Sequence, residues 1–282
     1  METMPVRGLT LFYDAEEREA AKLIGEACAQ ATQLLNGYWG LETPKDLRVY
    51  VMTSWLHFFF HSPPWPWRIL VALALPFLYL RIHRMWPYVG GWEQRFGQRR
   101  AVGVKPPGLM AKADRSIGSR IFVPEEDIEE KVALTTCHEL SHAFVAHLQL
   151  PNWLKEGQAM VTVDQFAGKP TVLAETLEAL ERYSAQAPAA NGQRISVQDP
   201  DAAIYLYTRG YWITRFLDDT QPQLLRNLLA ERMPHQALEN RIADSLGMNL
   251  EEFWNSIDQT LVSHFKQQAE FLAAHGIGGG QS

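Results

Sequence analysis

The residues best suited to chemistry stand in one short stretch, His138-Glu139-Leu140-Ser141-His142, which has the pattern H-E-x-x-H. On a helix, residues four positions apart lie on one face, so the two histidines can bind a common ion. Glu139 lies about 100° round the helix from His138, at the edge of that face. Two neutral imidazoles and a neighbouring carboxylate are what a hydrolytic zinc site requires, because the carboxylate can accept a proton from the zinc-bound water. The stretch therefore predicts a hydrolytic zinc centre.

A catalytic zinc site of this kind needs a third protein ligand, and the next segment offers a carboxylate. Glu156 lies in the sequence P-N-W-L-K-E-G-Q-A, on a second predicted helix that begins at Asn152 or Trp153 after a short turn. A hairpin of two helices can bring Glu156 back toward His138 and His142. Two histidines and one carboxylate leave the fourth metal position open for water, as in catalytic rather than structural sites. We therefore expect His138, His142 and Glu156 to bind Zn²⁺.

The pair H-E-L-S-H and W-L-K-E-G-Q-A resembles the motifs of the gluzincin zinc metallopeptidases, a peptidase MA-like family whose third zinc ligand is the Glu of a W-L-x-E-G-x-A segment. The resemblance implies a zincin-like fold, Zn²⁺ as the cofactor and a peptide or protein as the substrate. It also implies hydrolysis of the peptide bond by zinc-bound water, which Glu139 activates and whose proton it passes to the leaving amine.

A third segment strengthens this resemblance. Tyr207-Thr208-Arg209-Gly210 is similar to the Y-x-K-G segment of gluzincin aminopeptidases, with Arg in place of Lys. In those enzymes the tyrosine helps to hold the tetrahedral intermediate, so the resemblance nominates Tyr207 as a second catalytic residue. Core packing is the alternative role for Tyr207, and Tyr205 and Tyr211 are the alternative tyrosines.

The sequence also departs from several zinc peptidase patterns. The spacing from His142 to Glu156 is shorter than in the thermolysin and aminopeptidase types and closer to that of small gluzincins with a compact helical hairpin. No G-x-M-E-N segment for binding a substrate amino terminus is found. Val145 and Leu148 stand where a metzincin has its glycine and its third histidine, so that family is excluded. The substrate and the choice between endopeptidase and exopeptidase stay open.

Composition limits the classes of partner and compartment. The formal net charge is −6 and 46% of the residues are hydrophobic, which indicates a globular chain without an evident nucleic-acid surface. Only two cysteines, Cys28 and Cys137, occur, and they favour a reducing compartment over a disulfide framework. The first residues lack the apolar core of a signal peptide. We therefore expect a cytoplasmic location, either free or peripheral on the membrane.

The segment 56–105 differs in character from the rest of the chain, because it is apolar, aromatic and basic. Between His61 and Val104 the charged residues are arginines, with Glu93 as the one acidic residue. Its apolar core, 69–80, covers about 18 Å as a helix, which is short of the roughly 30 Å of a bilayer core, and Pro76 would disturb it. Crossing of a membrane is therefore not expected. Two alternatives remain: a shallow contact of residues 56–100 with a membrane surface, or an insertion that packs on the protein's own core.

The order of predicted elements indicates an α+β fold, a zincin-like arrangement in which a small N-terminal sheet and the active-site helix precede a mostly helical C-terminal half. Strands are expected at 9–13, 47–52 and 120–123. Helices are expected at 15–37, 124–150, 152–166, 171–187, 201–219, 221–232, 235–246 and 249–273. We expect residues 1–275 to form a single gluzincin-like catalytic domain with 56–105 as its insertion, and 276–282 to be a disordered tail.

Together these features predict zinc-dependent hydrolysis of peptide bonds. The alternative function is that of a non-catalytic protein that has kept the zinc site, either a pseudopeptidase or an adaptor at a membrane surface. Three aspartates are candidates for orienting the zinc ligands, namely Asp164, Asp199 and Asp201.

Overall fold

The computed structural model describes residues 1–113, 116, 118–184 and 200–274. Within them, five strands form one mixed sheet: β1 (Glu2–Val6), β2 (Leu9–Tyr13), β3 (Asp46–Val51), β4 (Gly91–Phe96) and β5 (Arg99–Val104). The spatial order is β1-β2-β3-β5-β4. Strands β2, β3 and β5 run parallel to one another, and the edge strands β1 and β4 are antiparallel to their neighbours.

Eleven α-helices accompany this sheet in the described chain. They are α1 (Arg18–Gly37), α2 (Trp55–His61), α3 (Trp65–Met85), α4 (Pro107–Met110), α5 (Ile128–Val145), α6 (Asn152–Ala167), α7 (Glu175–Ser184), α8 (Pro200–Thr220), α9 (Pro222–Ala230), α10 (His235–Ser245) and α11 (Leu250–Ala274). All five strands precede α5, and every element named after it is a helix. The expected α+β class is therefore confirmed.

The main core begins between the sheet and the helices α1 and α5 and continues through α6 and α8 into the C-terminal helices. Leu11, Val49 and Val102, from three neighbouring strands, are completely buried there, and so are Ile24 of α1 and Phe144 of α5. A separate cluster covers Tyr50 and Ala101 of the sheet with aromatic side chains of α2 and aliphatic side chains of α3. Burial of apolar surface on both sides makes β3 and β5 interior strands. The sheet thus gives α5 a fixed base.

The helix that carries H-E-x-x-H begins later than the sequence indicates. Pro124 was the expected start, but α5 begins at Ile128 because Asp127 is its N-cap: the Asp127 carboxylate accepts hydrogen bonds from the backbone N–H groups of Glu129, at 2.9 Å, and Glu130, at 3.3 Å. The helix ends at Val145, before the predicted end at 150. The next helix, α6, begins at Asn152 as predicted.

Several strand predictions need correction. The expected strand 120–123 is wrong, because Gly118–Arg120 forms a 3₁₀ turn and the following chain makes only an isolated bridge, Phe122 to Val172. Strands β1, β4 and β5 were not predicted. Strands 9–13 and 47–52 were predicted correctly to within one residue. The helix expected at 171–187 begins at Glu175, and its last three residues, like the tail 276–282 and Asp199, lie outside the described residues.

The segment 56–105 divides into two structurally different parts. Residues 91–104 belong to the sheet as β4 and β5, and β5 lies between β3 and β4. The apolar part before them forms α2 and α3. At 21 residues, α3 is longer than the predicted apolar core, and Pro76 lies inside it without ending it.

Among the described helices, α3 alone is long and apolar enough to cross a membrane, by length and composition only. Only 6% of its most apolar window is buried within the protein. Exposure of this kind does not in itself indicate a crossing.

Candidate metal centre

The hairpin of α5 and α6 brings the three predicted metal ligands together. His138 Nε2 and His142 Nε2 are 3.1 Å apart, as expected for residues four positions apart on one helical face. The carboxylate oxygen Oε2 of Glu156 lies 3.5 Å from His138 Nε2 and 3.3 Å from His142 Nε2. The three side chains are mostly buried, with 20%, 7% and 13% exposure for His138, His142 and Glu156. Three donor atoms therefore converge on one small volume.

The size of this triangle of donor atoms matches a zinc ion. Protein nitrogen and oxygen ligands lie about 2.0–2.2 Å from Zn²⁺ in a tetrahedral arrangement. Two ligands of such a tetrahedron are separated by roughly 3.3–3.5 Å, as follows from those bond lengths. The observed edges of 3.1, 3.3 and 3.5 Å agree with this separation. The donor atoms are thus already spaced for a tetrahedral ion, with one corner left for a further ligand.

The charges of His142 and Glu156 also suit a metal ion. Burial lowers the pKa of His142 to about 4, so its imidazole is neutral at pH 7. Burial alone would raise the pKa of Glu156, but attraction to His142 and hydrogen bonds from both histidines hold it well below its usual range. The pKa of His138 is raised, since Glu156 outweighs the opposing effect of burial. A neutral imidazole and an ionised carboxylate are the forms that bind metals.

Glu139 is a half-buried carboxylate that lies beside the three predicted ligands and is not one of them. Burial raises the pKa of Glu139 to about 7, and the negative charge of Glu156 contributes to this rise. Its side chain packs on the backbone of Gly91, the first residue of the edge strand β4. A Cβ atom at Gly91 would stand 2.3 Å from Glu139 Cγ, so any larger residue would displace the carboxylate. Because Gly91 has no side chain, the side chain of Glu139 can occupy this space.

Helix α8 packs on α6 next to Glu156 and carries Tyr207. The contact is very close: a Cβ atom at Gly157 would stand 2.1 Å from the carbonyl oxygen of Gly210, and one at Gly210 would stand 2.2 Å from the carbonyl oxygen of Trp153. These glycines follow Glu156 by one residue and Tyr207 by three. Glycine is therefore required in both the W-L-K-E-G-Q-A and the Y-T-R-G segments for the same reason: the backbones of α6 and α8 are in contact at these two positions.

Of the three neighbouring tyrosines, Tyr207 is the one that faces the charges of the centre. The Glu156 carboxylate, followed by burial and by Glu139, raises the pKa of Tyr207. Tyr205 instead donates a hydrogen bond of 2.8 Å to Asp258, and Tyr211 one of 2.6 Å to Asp164. Both alternative tyrosines are thus committed to other partners. The Tyr207 hydroxyl is therefore protonated at neutral pH and lies within electrostatic range of Glu156 and Glu139.

The aspartates considered as partners of the histidines have other roles. Asp164 accepts hydrogen bonds from Tyr211 and from the backbone and side chain of Thr171. Asp201 forms an exposed ion pair with Arg120, 2.6 Å long. Within the described part of the chain, the buried Nδ1 of His142 has no hydrogen-bond partner.

Sequence reasoning did not identify Gly91, although the pair Gly90-Gly91 before a β-prone segment was a usable signal. It also missed the lysine beside the third ligand. Lys155 precedes Glu156 on α6, and its charge lowers the pKa of Glu139 and of both histidines. Its position next to Glu156 in the sequence was the available signal.

Comparison with known proteins identifies no relative: no family model, no curated protein and no solved structure matches the chain.

Proposed function

We propose that this protein is a zinc-dependent peptidase of the gluzincin type with a zincin-like fold. The observation that supports this most is the triangle of His138, His142 and Glu156 donor atoms with the carboxylate of Glu139 beside it. The order of elements, a mixed sheet, then the H-E-x-x-H helix, then a helix with the third ligand, is the order that the resemblance to gluzincins implies.

The donor set favours zinc over the other common cations. Two imidazole nitrogens and one carboxylate oxygen suit Zn²⁺, whereas Ca²⁺ and Mg²⁺ prefer oxygen ligands alone. His138, His142 and Glu156 would hold the ion. When bound, zinc acts as a Lewis acid and brings the pKa of a bound water to near 7.

Glu139 would serve as general base and then as general acid. Its carboxylate accepts a proton from the attacking water and passes it to the nitrogen of the leaving amine, which an amide needs before its C–N bond breaks. Packing on Gly91 orients the carboxylate. Burial gives it a pKa of about 7, close to the value at which one group can both accept and donate a proton at neutral pH.

Tyr207 would donate its hydroxyl proton in a hydrogen bond to the oxyanion that forms on the scissile carbonyl. The two carboxylates near it raise its pKa, so the hydroxyl stays protonated at neutral pH and can act as a donor.

Metal analysis of the purified protein, combined with a peptide-library cleavage assay, tests the proposal. We expect about one zinc per chain, cleavage by the wild type, and loss of zinc in Glu156→Ala. Glu139→Gln should retain zinc and lose cleavage, because it removes the proton acceptor and leaves the ligands in place. Glu129→Gln is the matched control, since it makes the same change at an exposed position on the same helix and should behave as wild type.

Two results would argue against the proposed peptidase function. A protein that contains no zinc and still folds would contradict the metal centre. A protein with one zinc per chain and no cleavage of any library peptide would support the alternative, a pseudopeptidase or adaptor that has kept the zinc site.

A further inference from the structure

Helix α3 is apolar on two opposite faces, and only one of them is covered. Val71, Leu75 and Ile82 share the inner face and pack against the aromatic cluster of α2 and the sheet. Leu73 and Phe77 lie on the opposite face and are 67% and 86% exposed. The other strongly exposed apolar residues of the helix are Trp65, Ile69, Leu70 and Leu80. We call this exposed side of α3 the outer face.

A helix that is apolar all round belongs either in a protein core or in a membrane. Among the described residues nothing covers the outer face, so α3 does not lie in the core that they form. A signal sequence is ruled out as well, since such sequences lie at the N-terminus and α3 begins at Trp65. A large contiguous apolar surface of this kind marks an interaction site.

The inner face shows how the helix is oriented on the domain. Near its start, the ring of Trp67 is 6.0 Å from that of Phe96 in β4, and near its end Ile82 is 5% exposed. About 22 Å of helix separates these two contacts. The helix therefore lies along the surface of the domain and does not project from it. A membrane in contact with the outer face would run parallel to the helix axis.

Charge distinguishes a membrane from a protein partner. From Trp55 to Trp92 the chain contains no acidic residue, although the whole protein has a formal net charge of −6. Arg81 and Arg84 are exposed, and Arg84 lies on the outer face one turn after Leu80. The exposed Trp65 and Tyr88 flank the helix, and such aromatic side chains favour the depth of lipid headgroups.

We propose that the outer face of α3 binds the surface of an anionic phospholipid bilayer, with Leu73 and Phe77 inserted at the boundary of headgroups and acyl chains. Arginines at the end of the helix then meet lipid phosphates. A second copy of the chain fits less well. In a two-fold dimer the same surface faces itself, and this surface has no acidic residue that could pair with the arginines of the other copy.

The surface is connected to the metal centre through β4. Gly91 of this strand packs on Glu139, and Trp92 beside it packs on Phe59 of α2 with the ring centroids 5.3 Å apart. Trp55 of α2 in turn contacts Tyr79 of α3, at 5.4 Å. A bilayer on the outer face would thus keep the centre near the lipid–water boundary. If the peptidase proposal holds, its substrates are polypeptide segments at that boundary, whereas membrane binding itself does not depend on it.

Flotation of the full-length protein with vesicles tests the proposal. One set of vesicles contains phosphatidylcholine alone, and the other contains phosphatidylcholine with phosphatidylglycerol. We expect flotation with the anionic vesicles and weaker flotation at high salt, which screens the arginines. The Leu73→Glu/Phe77→Glu variant should bind at least about tenfold more weakly, because two inserted apolar groups are lost. Val123→Glu is the matched control: Val123 is 46% exposed, lies outside α3, and should leave binding unchanged.

Three results would overturn the proposal. The first is a protein that stays at the bottom of the gradient with both vesicles. The second is dimerisation in sedimentation, abolished by Leu73→Glu/Phe77→Glu, without vesicle binding, which would make the outer face a contact between copies. The third is bound protein that resists alkaline extraction, which would indicate a helix that crosses the bilayer. Vesicle binding that persists in Glu156→Ala would separate this proposal from the peptidase proposal.

Discussion

The close contact between α6 and α8 predicts that Gly157→Ala lowers both the stability of the protein and its affinity for zinc. The new Cβ would lie 2.1 Å from the carbonyl oxygen of Gly210 and 2.2 Å from Oγ1 of Thr214. A carbon and an oxygen atom rarely approach closer than about 3.3 Å, so the two helices must separate by roughly 1 Å. The atom met first is backbone, which cannot rotate away. Overpacking of this kind costs about 1–3 kcal/mol, partly offset by the better helix propensity of alanine, about 1 kcal/mol.

We therefore expect Gly157→Ala to lower the free energy of unfolding by up to about 2 kcal/mol. It should also weaken zinc binding by about 10–100-fold, since Glu156 is the preceding residue and would move with the backbone. Urea unfolding measures the first effect, and competition with a chromogenic chelator measures the second.

Gly37→Ala is the matched control. Gly37 is the last residue of α1, and a Cβ there would meet no atom within 4 Å. This variant should keep its zinc affinity and gain up to about 1 kcal/mol in stability. Wild-type stability and zinc affinity in Gly157→Ala would refute the role assigned to the helix contact.

Three further predictions concern single side chains. Tyr207→Phe should lower kcat/KM by about 10²–10³-fold with zinc content unchanged, and equal rates would remove Tyr207 from the mechanism. Asp258→Ala should cost about 3–5 kcal/mol in chemical unfolding, because it leaves the buried guanidinium of Arg209 without its 2.7 Å carboxylate partner; a loss below about 1 kcal/mol would contradict this. Burial lowers the pKa of Lys105 to about 8 from 10.5 in the unfolded chain, so the unfolded state binds more protons between these values and stability should rise with pH across them. The Lys105→Met variant should lack this rise. If the pH–stability curves of the variant and the wild type run parallel, the role given to Lys105 is wrong.

The part of the centre that depends on local geometry was predictable from the sequence. Residues four apart on a helix must share a face, so His138 and His142 could be placed before their surroundings were known. The short turn before Asn152 made a hairpin the natural way to return Glu156 to them. The start of α5 was missed by a few residues, because several acidic residues precede it and only the reach of the Asp127 side chain decides which one is the cap.

The contribution of the edge strand could not be predicted in the same way. Pairing in a sheet joins residues distant in sequence, so the pair Gly90-Gly91 could indicate a close contact but not that the contact is with Glu139. Strand β5 was hidden in an arginine-rich stretch that indicated a surface insertion. Its arginines are satisfied locally: Arg99 pairs with Asp46 at 2.8 Å, and Arg100 donates to the carbonyl of Gly97 at 3.0 Å. The apolar residues after them therefore remain free to form an interior strand.

Helix α3 too could be predicted only in part from its local sequence. The apolar run 69–80 predicted the centre of the helix but not its length, since the flanking tryptophans and arginines are helical too. Which of its faces is covered depends on α2 and the sheet, which lie elsewhere in the sequence.

The most direct test of the central claim is anomalous diffraction at the zinc absorption edge from crystals of the zinc-loaded protein. We expect one strong peak per chain, about 2.0–2.2 Å from His138 Nε2, His142 Nε2 and a carboxylate oxygen of Glu156. The peak should be absent in crystals of Glu156→Ala. A zinc peak at any other place in the chain, or none in the wild type, would contradict the metal centre.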